Sequence, residues 1–206
     1  AGLISRLDGI VTPATEVLRY LTEASPQNWN DNLGHRLEML SPSQARTAIG
    51  AVSIGTAGPS ATSIQLFDST YRAAGKTPSP SLWDSTLHAP QQFTWPTAGY
   101  FPTRMLPTGA KESISRWSFS ARCADLRQAT VKVFKDGTQL PLEVIRREEA
   151  GKDPNLTPWN YAGYDTVLFK LAVADLEIPQ YYDTVSYEVQ VTGIQAAPGC
   201  QGVADS

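Results

Sequence analysis

The alternation of apolar and polar residues in the second half of the chain constrains the fold more than any other feature of this sequence. Five segments after Gly109 place apolar residues at every second position, which brings them to one face of a β-strand. They read "RWSFSAR", "ATVKVFKDG", "TQLPLEVIRRE", "DTVLFKLAV" and "DTVSYEVQVTGI". Asp136-Gly137, between the second and third, is typical of a two-residue hairpin turn. We therefore predict an all-β sandwich of immunoglobulin-like size over residues 109–206, and we expect residues 111–206 to fold alone.

Residues 1–108 carry a different pattern, with helices as well as strands. Thr12 before Pro13 is a helix start, because threonine caps free amides and proline is tolerated at the first helical position. This helix is expected to run to about Ser25, and a shorter one over residues 33–40. Two strands, "TAIGAVSIGT" and "SIQLFDS", follow and are expected to pair as a hairpin. The whole chain is thus predicted to be α+β.

Composition narrows the class of function. The chain has 206 residues with 17 basic and 20 acidic side chains, so it lacks the positive charge of a nucleic-acid-binding protein. No apolar run is long enough to span a bilayer. Five tryptophans, eight tyrosines and only 18% charged residues are typical of a loop-rich secreted protein. We expect a secreted, extracellular or cell-surface location, with neither nucleic acid nor a membrane span.

The chain has two cysteines, Cys123 and Cys200, which form either one disulfide or two buried thiols. Cys200 lies in the polar segment "APGCQGVADS", which has no other anchor. We therefore predict a disulfide between them, and with it an oxidising compartment.

Several segments, in this order, resemble a known family. "VLRYLTE", "LGHRLEMLSP" and "IGAVSI", followed by "FTWPTAGYFP" and "RWSFS", resemble the C-terminal half of a bacterial CAP-superfamily domain with an appended β-domain. This superfamily includes cysteine-rich secretory proteins, antigen 5 and pathogenesis-related proteins. The resemblance implies a partial CAP-like α-β-α sandwich over residues 1–108, followed by the immunoglobulin-like β-sandwich.

The resemblance also implies a cleft, which in the family is lined by two histidines and two glutamates and in some members binds a divalent metal such as zinc. The second glutamate corresponds to Glu23 and the second histidine to His35. The first pair has no counterpart, since Gly2 or Leu3 stands where the family has glutamate. The family's first helices are also missing. We therefore expect a protein partner, either the missing N-terminal half of the same precursor or another subunit.

For His35 two interpretations stand. It is a metal ligand or general base beside Glu23, or it hydrogen-bonds a backbone carbonyl and holds the helix onto the sheet. Two ligands are fewer than a catalytic zinc needs, which favours the structural role. Glu16, Glu23 and Glu38 include no pair that the spacing marks for glycoside hydrolysis, so they are expected to be exposed helical glutamates. His88 is expected in a solvated loop.

Aromatic residues cluster in "PWNYAGYD", where Trp159, Tyr161 and Tyr164 form either a stacking surface for a sugar or peptide or a cover for one end of the sandwich. Taken together, the sequence predicts a secreted, non-enzymatic CAP-like binding or assembly module without a cofactor. The alternative is a metal-dependent hydrolase that uses a His/Glu cleft.

Overall fold

The computed structural model describes residues 2–8, 12–22, 33–40, 48–53, 59–65, 91–102, 105–106, 114–146, 164–176 and 184–198. Within these residues lie twelve β-strands, two α-helices and one short 3₁₀ turn at Val173–Asp175. The chain divides into two compact units. The first comprises residues 1–23 and 34–89, and the second comprises residues 24–33 and 90–206.

The first unit contains both helices and one sheet. The helices are α1 (Pro13–Thr22) and α2 (Gly34–Met39). The three antiparallel strands are β1 (Gly2–Asp8), β2 (Ala48–Ser53) and β3 (Pro59–Gln65), with β3 in the middle. The predicted pairing of two strands after the helices is confirmed, although β3 begins earlier than "SIQLFDS".

The start of α1 follows the predicted cap. The Thr15 amide donates to Thr12 Oγ1 at 3.2 Å, and the Thr12 amide donates to Thr15 Oγ1 at 3.1 Å. This reciprocal pair satisfies amides that the first helical turn leaves open. Pro13 occupies the first helical position, where its missing N–H costs nothing.

The second unit is all β within its described residues. One sheet has the order β4-β5-β10-β9, a second has β11-β7-β8, and a two-stranded pair joins β12 to β6. The strands are β4 (Gln92–Trp95), β5 (Ile114–Arg122), β6 (Ala124–Asp125), β7 (Thr130–Lys135), β8 (Thr138–Gln139), β9 (Glu143–Ile145), β10 (Tyr164–Ala172), β11 (Tyr187–Thr192) and β12 (Gln195–Ala196). All pairs are antiparallel.

The core of the second unit draws on strands of both larger sheets. Trp117 and Phe119 on β5 and Phe169 on β10 belong to the same buried cluster as Val131 and Val133 on β7. The odd-numbered residues of β5 and β7 supply this cluster, as the period-two pattern predicts. The turn at Asp136 and Gly137 joins β7 to β8 with positive φ at both residues, 47° and 79°. This confirms the predicted hairpin.

The predicted α+β fold with a partial CAP-like α-β-α sandwich is wrong. The described residues are mostly strand in several antiparallel sheets, with only two short α-helices and no clear helix–sheet–helix layering. The opening residues, expected to match a CAP segment, instead form β1 and pair with β3. Leu3, Ile4 and Leu7 do not alternate strictly, so the pattern did not indicate this strand.

The division between the units lies earlier than the predicted boundary at residues 108 and 109. The second unit resumes at Pro90, because β4 pairs with β5 from Gln92 opposite Ala121 to Trp95 opposite Ser118. The segment "FTWP", assigned from sequence to the first domain, is therefore an edge strand of the second unit's main sheet.

Candidate functional site

A cavity in the described part of the second unit lies beside β4 and β11, the terminal strands of their two sheets within the described residues. Its volume is about 540 Å³, within the range of small-molecule and side-chain pockets. Both strands contribute lining residues, as do β5 and β10. Its aromatic lining residues are Trp95, Phe101, Trp117, Phe119, Phe169 and Tyr187.

Strand register brings the aromatic wall together. Phe169 on β10 lies opposite Trp117 on β5, and their ring centroids are 6.2 Å apart. Tyr187 on β11 meets the same indole edge to face, with centroids 5.5 Å apart. Such tilted contacts suit the quadrupoles of aromatic rings and hold them in defined positions. The floor of the cavity is therefore rigid and continuous with the core.

A loop after β4 forms another part of the cavity lining. Pro96 follows Trp95 through a cis peptide bond, and Gly99 adopts φ +89°. A side chain at Gly99 would be strained by this dihedral. The loop brings Phe101 against Trp95 edge to face at 5.0 Å, while Thr97 and Ala98 remain exposed. Rings therefore line this side of the cavity next to accessible small residues.

The indole nitrogen of Trp117 is satisfied within the protein, and the polar residues of the lining are Gln92, Thr94, Thr97 and Ser118. Trp117 Nε1 donates to Ser115 Oγ at 3.0 Å, so the indole is not left in need of a ligand acceptor. Valine side chains at positions 185, 189 and 191 line the cavity from the β11 side. The lining therefore suits an apolar or aromatic group.

No protein-family model, curated protein or solved structure matches this chain.

The resemblance of "LGHRLEMLSP" to CAP domains stays a prediction, but the structure shows what this segment does locally. Arg36 is fully buried, and its Nε donates to the Leu21 carbonyl at 2.6 Å. Its Nη2 donates to the Thr22 carbonyl at 3.2 Å. A cation bonded to the last carbonyls of α1 complements both the open acceptors and the helix dipole. The sequence pattern around Arg36 does not indicate this role, because the bonds depend on how α2 packs against the end of α1.

His35 is half-buried and lies against Tyr20, with ring centroids 4.9 Å apart and planes tilted by 42°. This contact joins α2 to α1. Glu23, its predicted companion, lies outside the described residues. Among the described side chains there is no group of three or more His, Cys, Asp or Glu that could hold a metal ion. No described helix is long and apolar enough to cross a membrane.

Glu16 is buried, which differs from the expectation of an exposed helical glutamate. Its Oε2 accepts a hydrogen bond from Thr62 Oγ1 on β3 at 3.1 Å. Arg19 Nη1 lies 3.9 Å from its Oε1. The bond ties α1 to the middle strand of the sheet. The side chain of Glu38 and all of His88 lie outside the described residues.

Of the predicted aromatic surface, only Tyr164 is described. Its ring is buried at the start of β10, with its centroid 5.2 Å from that of Phe93. Burial raises the pKa of the Tyr164 hydroxyl, and the Arg122 charge opposes this in part. Tyr164 thus belongs to the packed interior. Trp159 and Tyr161 lie outside the described residues.

Cys123 is not a free thiol, whereas Cys200 lies outside the described residues. The backbone hydrogen bonds around Cys123 nonetheless show which segment of the chain lies beside it. The Ala197 amide donates to the Cys123 carbonyl at 2.9 Å, and β12 pairs with β6 immediately beside it. The chain is therefore held next to Cys123 three residues before Cys200. Their bond stays a prediction.

Proposed function

We propose that this chain is a non-enzymatic binding or assembly module that acts at or beyond the cell surface. The cavity beside β4 and β11 receives an apolar or aromatic side chain of a protein partner. The observation that carries the proposal is an aromatic-walled cavity of about 540 Å³ continuous with the buried core. The aromatic wall offers water few hydrogen-bond partners, so an apolar group that displaces water from that wall is favoured.

The character of the lining supports binding over chemistry. Its rings are fixed by contacts with one another, and its indole donor is already bonded to Ser115. A preorganised apolar pocket loses little entropy when it is filled. Two features support a location outside the cell. One is the composition, which is rich in tryptophan and tyrosine and poor in charged residues, and the other is that Cys123 is not a free thiol.

A fluorescent dye tests the cavity without knowledge of the natural partner. Anilinonaphthalene sulfonate is aromatic, and its fluorescence rises in apolar surroundings. We expect saturable binding to the intact chain at submicromolar protein. Thr97→Trp places a large ring at the cavity and should weaken dye binding by about tenfold, equivalent to about 1.4 kcal/mol. Thr138→Trp makes the same change at an exposed threonine on β8, outside the lining, and should leave binding unchanged.

Equal dye binding by Thr97→Trp and Thr138→Trp would show that the dye binds elsewhere. Absence of saturable binding to the unaltered chain would remove the cavity from the proposal. Thermal unfolding of each variant, followed by circular dichroism, establishes that the comparison is made between folded proteins.

A further inference from the structure

We infer that the partner at this site is a second copy of the chain, which adds its own β11 antiparallel to β11 of the first and extends the β11-β7-β8 sheet. The inference rests on the proposed function, because it names the protein whose side chains reach the cavity. Three observations carry it: the direction of the backbone groups of β11, the lack of protection along that edge, and the charges along the strand.

The direction of the backbone groups of β11 follows from the hydrogen bonds between β7 and β8. The Leu140 amide donates to the Val133 carbonyl at 2.8 Å, so the peptide groups of Val133 face β8. Its neighbours Lys132 and Phe134 must then face β11, since successive residues of a strand bond to opposite sides. Lys132 lies opposite Gln190 and Phe134 opposite Glu188.

The residues of β11 between those bonding positions consequently face away from β7. The amides and carbonyls of Val189 and Val191 point outward along the edge of the sheet, in the geometry that another strand needs. Their side chains line the cavity. An added strand would therefore place its alternate residues over the same aromatic wall.

Within the part of the chain that the structure describes, the β11 edge lacks the devices that usually protect an edge strand. Within the described part of the second unit, β8 has two residues, β9 has three and follows Pro141, and β4 has four and precedes Pro96. β11 has six residues, none of them proline, lysine or arginine. Val189 is 38% exposed and Ile194 is 44% exposed. A long, regular, weakly charged edge is a template for strand pairing.

Charge along the strand permits self-pairing. Of the antiparallel registers that match the outward-facing groups of two copies, two overlap the strands the most. One places Gln190 opposite Gln190 of the second copy and Glu188 opposite its Thr192. The other places Glu188 opposite Gln190 of the second copy. Neither puts two like charges opposite each other, which would be destabilising. The edge is therefore compatible with itself in both registers.

The test measures self-association of the full chain by sedimentation equilibrium from submicromolar to high micromolar protein. We expect a mass that rises to twice 22.4 kDa. Val189→Pro removes one outward amide without touching the bonds to β7 and should weaken dimerisation by at least about tenfold. Val189→Ala removes side-chain atoms but keeps the amide, and should weaken it by no more than about threefold.

A second pair of variants works through charge. Gln190→Glu puts an acid opposite an acid in both registers and should weaken the dimer at low salt, with recovery at high salt. Thr138→Glu makes an equivalent change on the β8 edge and should leave the dimer intact. Circular dichroism melting shows that each variant is folded.

A chain that stays at 22.4 kDa throughout the concentration range would overturn the inference, as would equal losses for Val189→Pro and Val189→Ala. The proposed function is judged separately, by the dye titration at submicromolar protein. A monomer that binds the dye in the cavity leaves that function standing with a different partner. A chain that is monomeric at the concentration of the dye titration and binds no dye would instead refute the cavity's role.

Discussion

Arg36 is the residue on which the end of α1 depends. Its guanidinium is buried and bonds to two carbonyls that the helix leaves open. We expect Arg36→Ala to lower the free energy of unfolding by about 3 kcal/mol, because buried acceptors are left without their donor. Denaturant unfolding followed by circular dichroism measures the change.

Arg19→Ala is the matched control, since the Arg19 side chain is 45% exposed and lies 3.9 Å from Glu16. Its cost should be below about 1 kcal/mol. His35→Ala should also lower the melting temperature, through loss of its contact with Tyr20, but by less than Arg36→Ala. Equal effects of Arg36→Ala and Arg19→Ala would contradict the assigned role.

Tyr164 gives the second unit a predicted response to alkali. Burial raises the pKa of its hydroxyl above the ordinary 10.0, so the folded state holds the proton more tightly than the unfolded state. The resulting stabilisation is complete below pH 10.0 and is lost as the pH rises through the folded-state pKa. We expect the free energy of unfolding of Tyr164→Phe to fall less steeply with pH than that of the unaltered chain once the pH exceeds 10.0. Parallel pH curves for the two proteins would exclude Tyr164 as the source.

At the scale of elements, the period-two pattern predicted strands well. The segments that became β5, β7, β10 and β11 were all identified, because each has one face in the core and alternates accordingly. The capped start of α1 was also predicted. β1 and the pairing of β4 with β5 were missed, since neither Leu3, Ile4 and Leu7 nor the four residues of β4 form a sustained alternation.

The pairing of β12 with β6 makes a definite prediction for the cysteines. Ala197 is hydrogen-bonded to Cys123, and Cys200 follows Ala197 by three residues in the sequence. We expect non-reducing peptide mapping to recover one linked fragment that contains both residues. In the chain-entropy model a loop of this length contributes about 4 kcal/mol. Cys123→Ser, Cys200→Ser and the double variant should be destabilised alike. Recovery of two free thiols would contradict the bond.

For the whole molecule, the earlier start of the second unit changes what should fold alone. The sequence predicted that residues 111–206 are self-sufficient, but β4 pairs with β5 along four residues of that unit's main sheet. We expect a fragment of residues 90–206 to unfold cooperatively, and at a higher denaturant midpoint than residues 111–206. Denaturant titrations of the two fragments under identical conditions measure the difference between their midpoints. Identical midpoints would mean that β4 adds nothing to the stability of the unit.

The candidate site could not have been predicted from sequence, because its walls meet only in three dimensions. Trp95, Trp117 and Tyr187 lie far apart in the chain and meet through the order of strands in two sheets. The burial of Glu16 likewise depends on Thr62, which a helical pattern does not reveal. The sequence indicated His35, whereas in the structure the next residue, Arg36, makes the more deeply buried interaction.

The strand order also dictates when the second unit can close during synthesis. β7 is translated well before β11, its partner on one side, and β6 well before β12. Until the residues around Tyr187 have left the ribosome, the edge of β7 that pairs with β11 has no partner strand. Such late, long-range pairing slows folding and leaves strands exposed in the nascent chain. The unit is therefore expected to complete its folding only after β12 has been translated.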